Sequence, residues 1–181
     1  YEQWGVDLLQ RVRGMFTFVI WDKNKQELFG ARDHFGIKPF YYAKMNGTFM
    51  YASEIKSLLR HPDFVKELNA EALKPYMTFQ YPAIGETFFK GVYKLPEGHY
   101  FTYRDGKMDI HRYYDEDFRE GKQKLGELVN SIDQTVCDSV KAHQIADVEV
   151  GSFLSSGVDS SYVAAVARPQ HTSVSYTHLT L

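Results

Sequence analysis

The sequence is short of cysteine, of basic charge and of long apolar runs. Cys137 is the single cysteine among 181 residues, which rules out an internal disulfide framework and suits a reducing compartment. The 21 lysines and arginines are outnumbered by 23 aspartates and glutamates, which argues against a nucleic-acid or anionic-membrane surface. No apolar stretch approaches the roughly 20 residues that span a bilayer. We therefore expect a cytoplasmic protein that acts on small molecules, with no nucleic-acid and no membrane partner.

The sequence also has no histidines at the spacing of metal ligands, and it does not begin with methionine. The seven histidines are scattered, and His34 in RDHFG suits a turn or packing role better than coordination, so no zinc site is expected. Because the chain begins at Tyr1, we expect it to be a piece of a longer protein.

The first part of the chain alternates apolar segments with turn residues. GMFTFVIW, from Gly14 to Trp21, is apolar on both faces and predicts a strand buried on both sides. Glu27 to Asp33 is predicted as its returning partner. Two further hairpins are expected around Asn46-Gly47 and Asp105-Gly106, because these pairs tolerate the positive φ angles of a type I′ turn. Three successive hairpins indicate an antiparallel β-rich domain.

Two helix starts are predicted between the second and third hairpins. Ser53 can cap a short helix, EIKSLLR, and Asn69 can cap AEALKPYMTF. Pro75 should interrupt the second helix, because proline has no N–H to donate to the hydrogen-bond ladder.

The composition changes after Asp115, where a domain boundary is expected. DEDFREGKQK is strongly polar, and the segment after it predicts an amphipathic helix of about six turns. Its apolar face comprises Leu125, Leu128, Ile132, Val136 and Val140. A strand from Val148 to Leu154 and a helix through Ala167 follow, which is the start of an α/β domain with a parallel sheet.

The loop between that strand and helix reads FLSSGVDSS. Its backbone amides and the hydroxyls of Ser155, Ser156, Ser160 and Ser161 can surround phosphate oxygens. Asp159 would repel a phosphate unless a divalent cation bridges the two, so the pattern favours a magnesium nucleotide. The alternative is that Ser155 or Asp159 simply caps the helix and no ligand is involved.

Two other features have both a chemical and a structural interpretation. Cys137 could be a nucleophile, but its place among helical valines favours packing. Arg32 and Asp33 could be catalytic, but an ion pair or hydrogen bonds to the turn at Gly36–Pro39 are favoured. The 13 tyrosines and 13 phenylalanines lack interleaved basic residues and indicate core rather than base stacking.

The serine loop resembles the pyrophosphate-binding loop of the ATP pyrophosphatase (N-type) superfamily, whose usual form is Ser-Gly-Gly-x-Asp-Ser. Ser156 stands where that form has its first glycine. Upstream, GMFTFVIWD, GARDHFGIKPFYY and YASEIKSLL resemble the second half of a class II glutamine amidotransferase domain. Together, from about Gly5 to Arg168, these blocks resemble glutamine-hydrolysing asparagine synthetase of the bacterial B type.

The resemblance implies an α+β part followed by the start of an α/β part. Residues 1–118 would be the C-terminal half of the amidotransferase domain, with the antiparallel sheets of an incomplete Ntn-type αββα sandwich. Residues 119–170 would open the parallel-sheet ATP pyrophosphatase domain, and residues 171–181 would be a tail of doubtful origin.

The resemblance also implies an activity for the full-length protein. It would hydrolyse glutamine and use the ammonia to convert aspartate and ATP, through β-aspartyl-AMP, into asparagine, AMP and pyrophosphate. ATP and Mg²⁺ would be required, and the resemblance leaves room for a homodimer. The implied ATP-binding residues are Leu154, Ser155, Ser156, Gly157, Val158, Asp159 and Ser160, with Asp159 also positioning Mg²⁺.

The sequence departs from the family at the catalytic nucleophile. Class II amidotransferases use a cysteine at the first position of the mature chain, where this sequence has Tyr1. We therefore expect no catalytic residue in this chain and no activity from it alone. A related amide-forming ligase of the β-lactam synthetase kind, or a non-catalytic nucleotide-binding module, are the alternatives.

Overall fold

The structure, a computed structural model, describes residues 1–81 and 83–174. The chain divides into two compact units, Tyr1–Asp117 and Phe118–Leu181. Most of the tail expected to be of doubtful origin, residues 175–181, lies outside the described residues.

The first unit consists mainly of antiparallel strands joined by short turns. Its strands are β1 (Thr17–Asp22), β2 (Glu27–Arg32), β3 (Tyr41–Met45), β4 (Thr48–Ala52), β5 (Val92–Lys94), β6 (His99–Arg104) and β7 (Lys107–Arg112). Its helices are α1 (Ile55–Leu58) and α2 (Leu73–Phe79), with short 3-10 helices at Gly5–Gln10 and Ala70–Ala72.

These strands form two sheets. One has the order β1-β2-β6-β7 and the other the order β4-β3-β5, and every pairing in both is antiparallel. The expected antiparallel character is confirmed. In the described chain β1 lies at a sheet edge and is mostly half-buried, so the prediction that it is buried on both faces is wrong. Strand β5 was not predicted, because its three residues are too few for a recognisable alternation.

The two hairpin turns predicted from residue pairs are present. Asn46 and Gly47 have φ angles of 50° and 81°, and Asp105 and Gly106 have φ angles of 50° and 77°. Positive φ at both central positions is the type I′ geometry, which matches the twist of the flanking strands. Local sequence therefore sets the register of β3 with β4 and of β6 with β7.

One of the two predictions about the helix starts is wrong, and so is the prediction about Pro75. The N-cap of α1 is Glu54 rather than Ser53, and no side chain caps that helix. Asn69 caps as predicted, since its side chain accepts a hydrogen bond from the Glu71 amide. Pro75 does not interrupt α2, because it lies in the first turn, where amides have no partner within the helix.

An aromatic core joins the two sheets. Phe40, Leu95 and Phe101 are buried together, and residues from strands of both sheets pack around them. The rings of Phe49 on β4 and Tyr103 on β6 stack with centroids 4.2 Å apart. These aromatic residues thus serve as core, as the sequence indicated, whereas others, such as Phe118 and Phe153, are exposed.

The turn after β2 is held by two buried charged residues. The Asp33 carboxylate accepts hydrogen bonds from four backbone amides, those of Phe16, Phe35, Ile37 and Lys38, at 2.9 to 3.3 Å. The Arg32 guanidinium donates to three carbonyls, those of Gly36, Lys38 and Leu95. The turn-binding interpretation of this pair is confirmed, because its polar atoms are engaged with backbone groups.

The second unit begins with a long helix. It contains α3 (Leu125–His143), β8 (Ser152–Phe153), α4 (Val158–Ala167) and β9 (Thr172–Ser173). The 19-residue α3 is slightly shorter than predicted, and the strand predicted over Val148–Leu154 is reduced to β8. Strands β8 and β9 pair in parallel. No helix within the described residues is long and apolar enough to cross a membrane.

Replacing Gly30 by alanine tests the packing of the first unit. An added Cβ would lie 2.6 Å from Cζ of Phe101, so the buried ring would have to shift. We expect Gly30→Ala to lower the free energy of unfolding by about 1–3 kcal/mol in chemical denaturation followed by near-ultraviolet circular dichroism. Gly85→Ala is the matched control, because its Cβ meets nothing within 4 Å. Equal stability of the two variants would contradict this packing.

Acid unfolding tests the turn at Asp33. Burial raises the pKa of this carboxyl, but the four amide hydrogen bonds outweigh burial and hold the pKa below its ordinary value of 3.8. Ionised Asp33 therefore stabilises the fold above that pH, and the stabilisation is lost as the pH falls through the lowered pKa. We expect Asp33→Asn to lower the free energy of unfolding by about 1–3 kcal/mol at neutral pH. Its loss of stability in acid should also be shallower than that of wild type.

The control for that experiment is Asp109→Asn, on the exposed face of β7. Denaturant titrations across the acid range should leave this variant with the pH dependence of wild type. An Asp33→Asn protein that kept the full acid sensitivity would show that the Asp33 carboxylate does not hold the turn.

Candidate functional site

The serine loop lies between β8 and α4, as the sequence predicted. Strand β8 ends at Phe153, and the next amide, that of Leu154, donates to the carbonyl of Ser173 at 2.9 Å. Helix α4 begins at Val158 with Gly157 as its N-cap. Of the seven residues proposed to bind ATP, the first four, 154–157, thus connect strand and helix, and the last three, 158–160, begin α4.

Ser156 adopts the left-handed backbone conformation in this turn. Its φ angle is 62°, whereas Gly157 has a φ of −72° and an extended conformation. Left-handed backbone costs an ordinary residue roughly 1–2 kcal/mol, because Cβ approaches the following carbonyl. The usual form of the pyrophosphate-binding loop that this segment resembles has glycine at the position of Ser156. The left-handed φ angle gives a physical reason for that glycine, because glycine adopts positive φ without strain.

Two serine hydroxyls are bonded to each other inside the loop. The Oγ atoms of Ser155 and Ser160 are 3.0 Å apart, and the Ser155 amide donates to Ser160 Oγ at 3.3 Å. The Ser160 hydroxyl donates to the Gly157 carbonyl at 3.1 Å. Ser160 is half-buried, while Ser155, Ser156 and Gly157 are exposed.

The amides at the start of α4 point out of the helix without intrahelical partners. The first i to i−4 bond of the helix runs from the Ser161 amide to the Gly157 carbonyl at 3.0 Å. No side chain among the described residues caps the helix, so the alternative that Ser155 or Asp159 caps it is wrong. Unpaired amides together with the positive end of the helix dipole favour a bound anion.

Asp159 is the acidic residue of this first turn. Its side chain is exposed, and its carboxylate makes no hydrogen bond or ion pair with the described residues. One carboxylate combined with substrate phosphates is a usual way for proteins to hold Mg²⁺. The donor set therefore fits a magnesium ion that arrives with a nucleotide.

A tyrosine on α4 fixes this helix against α3, and no pattern in the sequence predicted this contact. The Tyr162 hydroxyl donates to the Asp133 carboxylate, and this hydrogen bond raises the pKa of Tyr162 to about 12. The side chain of Gln144 also donates to the carbonyl of Ala167 at 2.7 Å. These contacts hold the helix whose N-terminus forms the loop.

The remaining candidates do not form a second site. Cys137 is half-buried on α3, as the packing interpretation predicted. Across residues 1–81 and 83–174, no three histidine, cysteine, aspartate or glutamate side chains are grouped to hold a metal ion.

Curated relatives match nearly the whole chain. Asparagine synthetase [glutamine-hydrolyzing] 1 of Bacillus subtilis is 40% identical over 175 residues, which is 96% of this chain and 28% of the relative. A putative asparagine synthetase [glutamine-hydrolyzing] of Mycobacterium tuberculosis is 39% identical over 92% of this chain and 27% of its own length. Amidase chry2 of Gibberella zeae is 34% identical over 92% of this chain and 25% of its own length. The chain thus spans about a quarter of the length of these relatives.

Two family models match the chain in succession. Residues 131–180 match the asparagine synthase family, and this range includes the serine loop. Residues 1–114, well over half of the chain, match the glutamine amidotransferase domain. The chain therefore belongs to the glutamine amidotransferase domain family, with asparagine synthase sequence following that domain.

Proposed function

We propose that this chain is the central part of a glutamine-hydrolysing asparagine synthetase. The observation that carries the proposal is the order of two family matches, glutamine amidotransferase over residues 1–114 and asparagine synthase over residues 131–180. The full-length protein would convert aspartate, glutamine and ATP into asparagine, glutamate, AMP and pyrophosphate through β-aspartyl-AMP. The two bacterial relatives that carry the asparagine synthetase name support this assignment.

The domain boundaries follow from the same proposal. Residues 1–118 would belong to an Ntn-type αββα amidotransferase domain, and residues 119–170 would open the ATP pyrophosphatase domain. The two antiparallel sheets support the first assignment, and the parallel pairing of β8 with β9 supports the second.

In the proposed enzyme, backbone amides of the serine loop would make most of the contacts with the anion. The amides at the start of α4 would hold the phosphates of ATP, and the exposed hydroxyl of Ser156 could donate as well. Mg²⁺ would neutralise phosphate charge and orient the leaving pyrophosphate. Asp159 would hold the ion, which removes the repulsion between its carboxylate and the phosphates.

Glutamine hydrolysis needs a nucleophile that the described part of this chain does not supply. Cys137 is half-buried on α3, and no histidine bonds to it within the described residues. We therefore expect the 181-residue chain alone not to hydrolyse glutamine.

A second candidate differs only in the molecule that receives the ammonia. The Gibberella zeae relative, which is named an amidase and not an asparagine synthetase, is 34% identical over 92% of this chain, so a different acceptor is kept as the alternative. The serine loop would bind ATP in either case. Product analysis with aspartate as the acceptor decides between the two.

Removing the charge of Asp159 tests the proposed magnesium role. In the full-length protein, Asp159→Asn should lower kcat/KM for ATP in amide formation more than about tenfold, because the magnesium–phosphate complex loses a ligand. Glutamine hydrolysis should remain near the wild-type rate. Asp147→Asn, also exposed in the second unit, is the control. Unchanged amide formation by Asp159→Asn at limiting Mg²⁺ would contradict the role.

Substitutions at Ser156 test whether the loop backbone must stay left-handed. Ser156→Gly should bind MgATP at least as tightly as wild type, because glycine adopts φ 62° without strain. Ser156→Val should bind about tenfold more weakly, because a β-branched residue rarely adopts that conformation. Isothermal titration calorimetry gives both dissociation constants. Equal affinity of the valine and glycine variants would show that the left-handed turn is not needed.

A further inference from the structure

The turn between β3 and β4 contains Asn46 followed by Gly47, the residue pair in which asparagine is chemically most labile. The backbone nitrogen of the next residue can attack Cγ of asparagine, and glycine has no side chain to obstruct that nitrogen. The new C–N bond closes a succinimide ring, and the side-chain nitrogen leaves as ammonia with the proton of the attacking amide. Water then opens the ring on either side of the imide nitrogen, which gives aspartate or isoaspartate. Both residues are exposed, so water reaches this turn.

The folded turn keeps the attacking nitrogen away from Cγ. Asn46 has a φ angle of 50°, and a left-handed residue has a ψ angle of roughly +30° to +50°. At that ψ angle the Gly47 nitrogen lies across the Cα–C bond from Cβ of Asn46. This bond must rotate before the ring can close, and the rotation opens the pairing of Met45 with Thr48 that ends the hairpin.

Asp63 fixes the reactive side chain from outside the hairpin. The Nδ2 atom of Asn46 donates to the carbonyl of Asp63 at 3.2 Å. The Thr48 hydroxyl donates to Oδ2 of Asp63 at 2.6 Å. The Asp63 amide in turn donates to Nδ1 of His61 at 3.2 Å. Opening the turn therefore breaks contacts outside the hairpin as well as within it.

Deamidation would replace these attractive contacts by repulsion. An ionised carboxylate only accepts hydrogen bonds, so at position 46 it would face the Asp63 carbonyl without a proton to donate. Asp63 also carries a carboxylate, whose charge has the same sign. The turn type itself tolerates an acidic residue, because Asp105 and Gly106 have nearly the same φ angles as Asn46 and Gly47. The damage would therefore arise at the contact with Asp63.

We propose that Asn46 is a site of spontaneous deamidation, that the hairpin and Asp63 together suppress the reaction, and that the reaction weakens the hairpin once it has occurred. It consumes water and releases ammonia, and it does not depend on the proposed function. Each opening of the hairpin exposes Asn46 to reaction. Modified molecules therefore accumulate wherever the first unit unfolds.

Peptide mapping by mass spectrometry, after incubation at mildly alkaline pH, measures the deamidation rate at Asn46. In the folded 181-residue chain this rate should be at least about tenfold lower than in the same chain in guanidinium chloride, because the reaction requires local opening. Asn24 is the internal control, since it is exposed and is followed by Lys25, whose side chain obstructs the attack. It should react slowly in both conditions. Equal rates at Asn46 in the folded and unfolded chain would overturn the proposal.

The contribution of Asp63 is measured by comparing two variants in the folded chain. Asp63→Asn keeps an oxygen that accepts from the Thr48 hydroxyl, so Asn46 should deamidate at the wild-type rate. Asp63→Ala removes this acceptor and should raise the rate about fivefold. Equal rates in the two variants would show that the Asp63 side chain does not protect Asn46.

Asn46→Asp introduces the aspartate product directly and tests the consequence of the reaction. In chemical denaturation its equilibrium constant for folding should be about tenfold lower than that of wild type. Asn24→Asp, on the exposed turn between β1 and β2, should match wild type. Combining Asn46→Asp with Asp63→Asn removes the like charge and should recover part of the loss in a double-mutant cycle. Wild-type stability of Asn46→Asp would overturn the claim that deamidation weakens the hairpin.

Discussion

Backbone groups that regular secondary structure leaves unpaired are the constraint on which both units depend. A buried amide or carbonyl without a partner costs about as much as a lost hydrogen bond. In the first unit, Asp33 supplies acceptors for four amides and Arg32 supplies donors for three carbonyls of the turn region. Two buried charges are tolerated there because each satisfies several backbone groups at once.

In the serine loop, by contrast, the backbone amides without intrahelical partners are left open by the side chains. Here the side chains of Ser155 and Ser160 bond to each other and to the loop, and no side chain in the part of the chain that the structure describes caps the amides of α4. The amides stay accessible to an anion because the loop is exposed to water, where unpaired groups cost little. A buried turn closed by its own side chains is structural, whereas an exposed turn with open amides is suited to a ligand.

Sequence similarity and the contacts in the structure give complementary information about this chain. Sequence similarity places an amidotransferase domain before asparagine synthase sequence. The contacts at the loop add which serine hydroxyls are bonded within it. Ser160 and Ser161 are adjacent in sequence, yet one hydroxyl is bonded within the loop and the other makes no bond within the described residues.

The sequence by itself determined the three hairpins, the Asn46-Gly47 and Asp105-Gly106 turns, the long helix α3 and the position of the serine loop. These features depend on local patterns, namely turn residues that accept positive φ and apolar residues at helical spacing. Only the tertiary structure decided that β1 lies at a sheet edge in the described chain and that Pro75 lies within a helix. It also decided that Ser160 bonds to Ser155 and Gly157. Those outcomes depend on which groups meet in space, and residue spacing along the chain does not specify that.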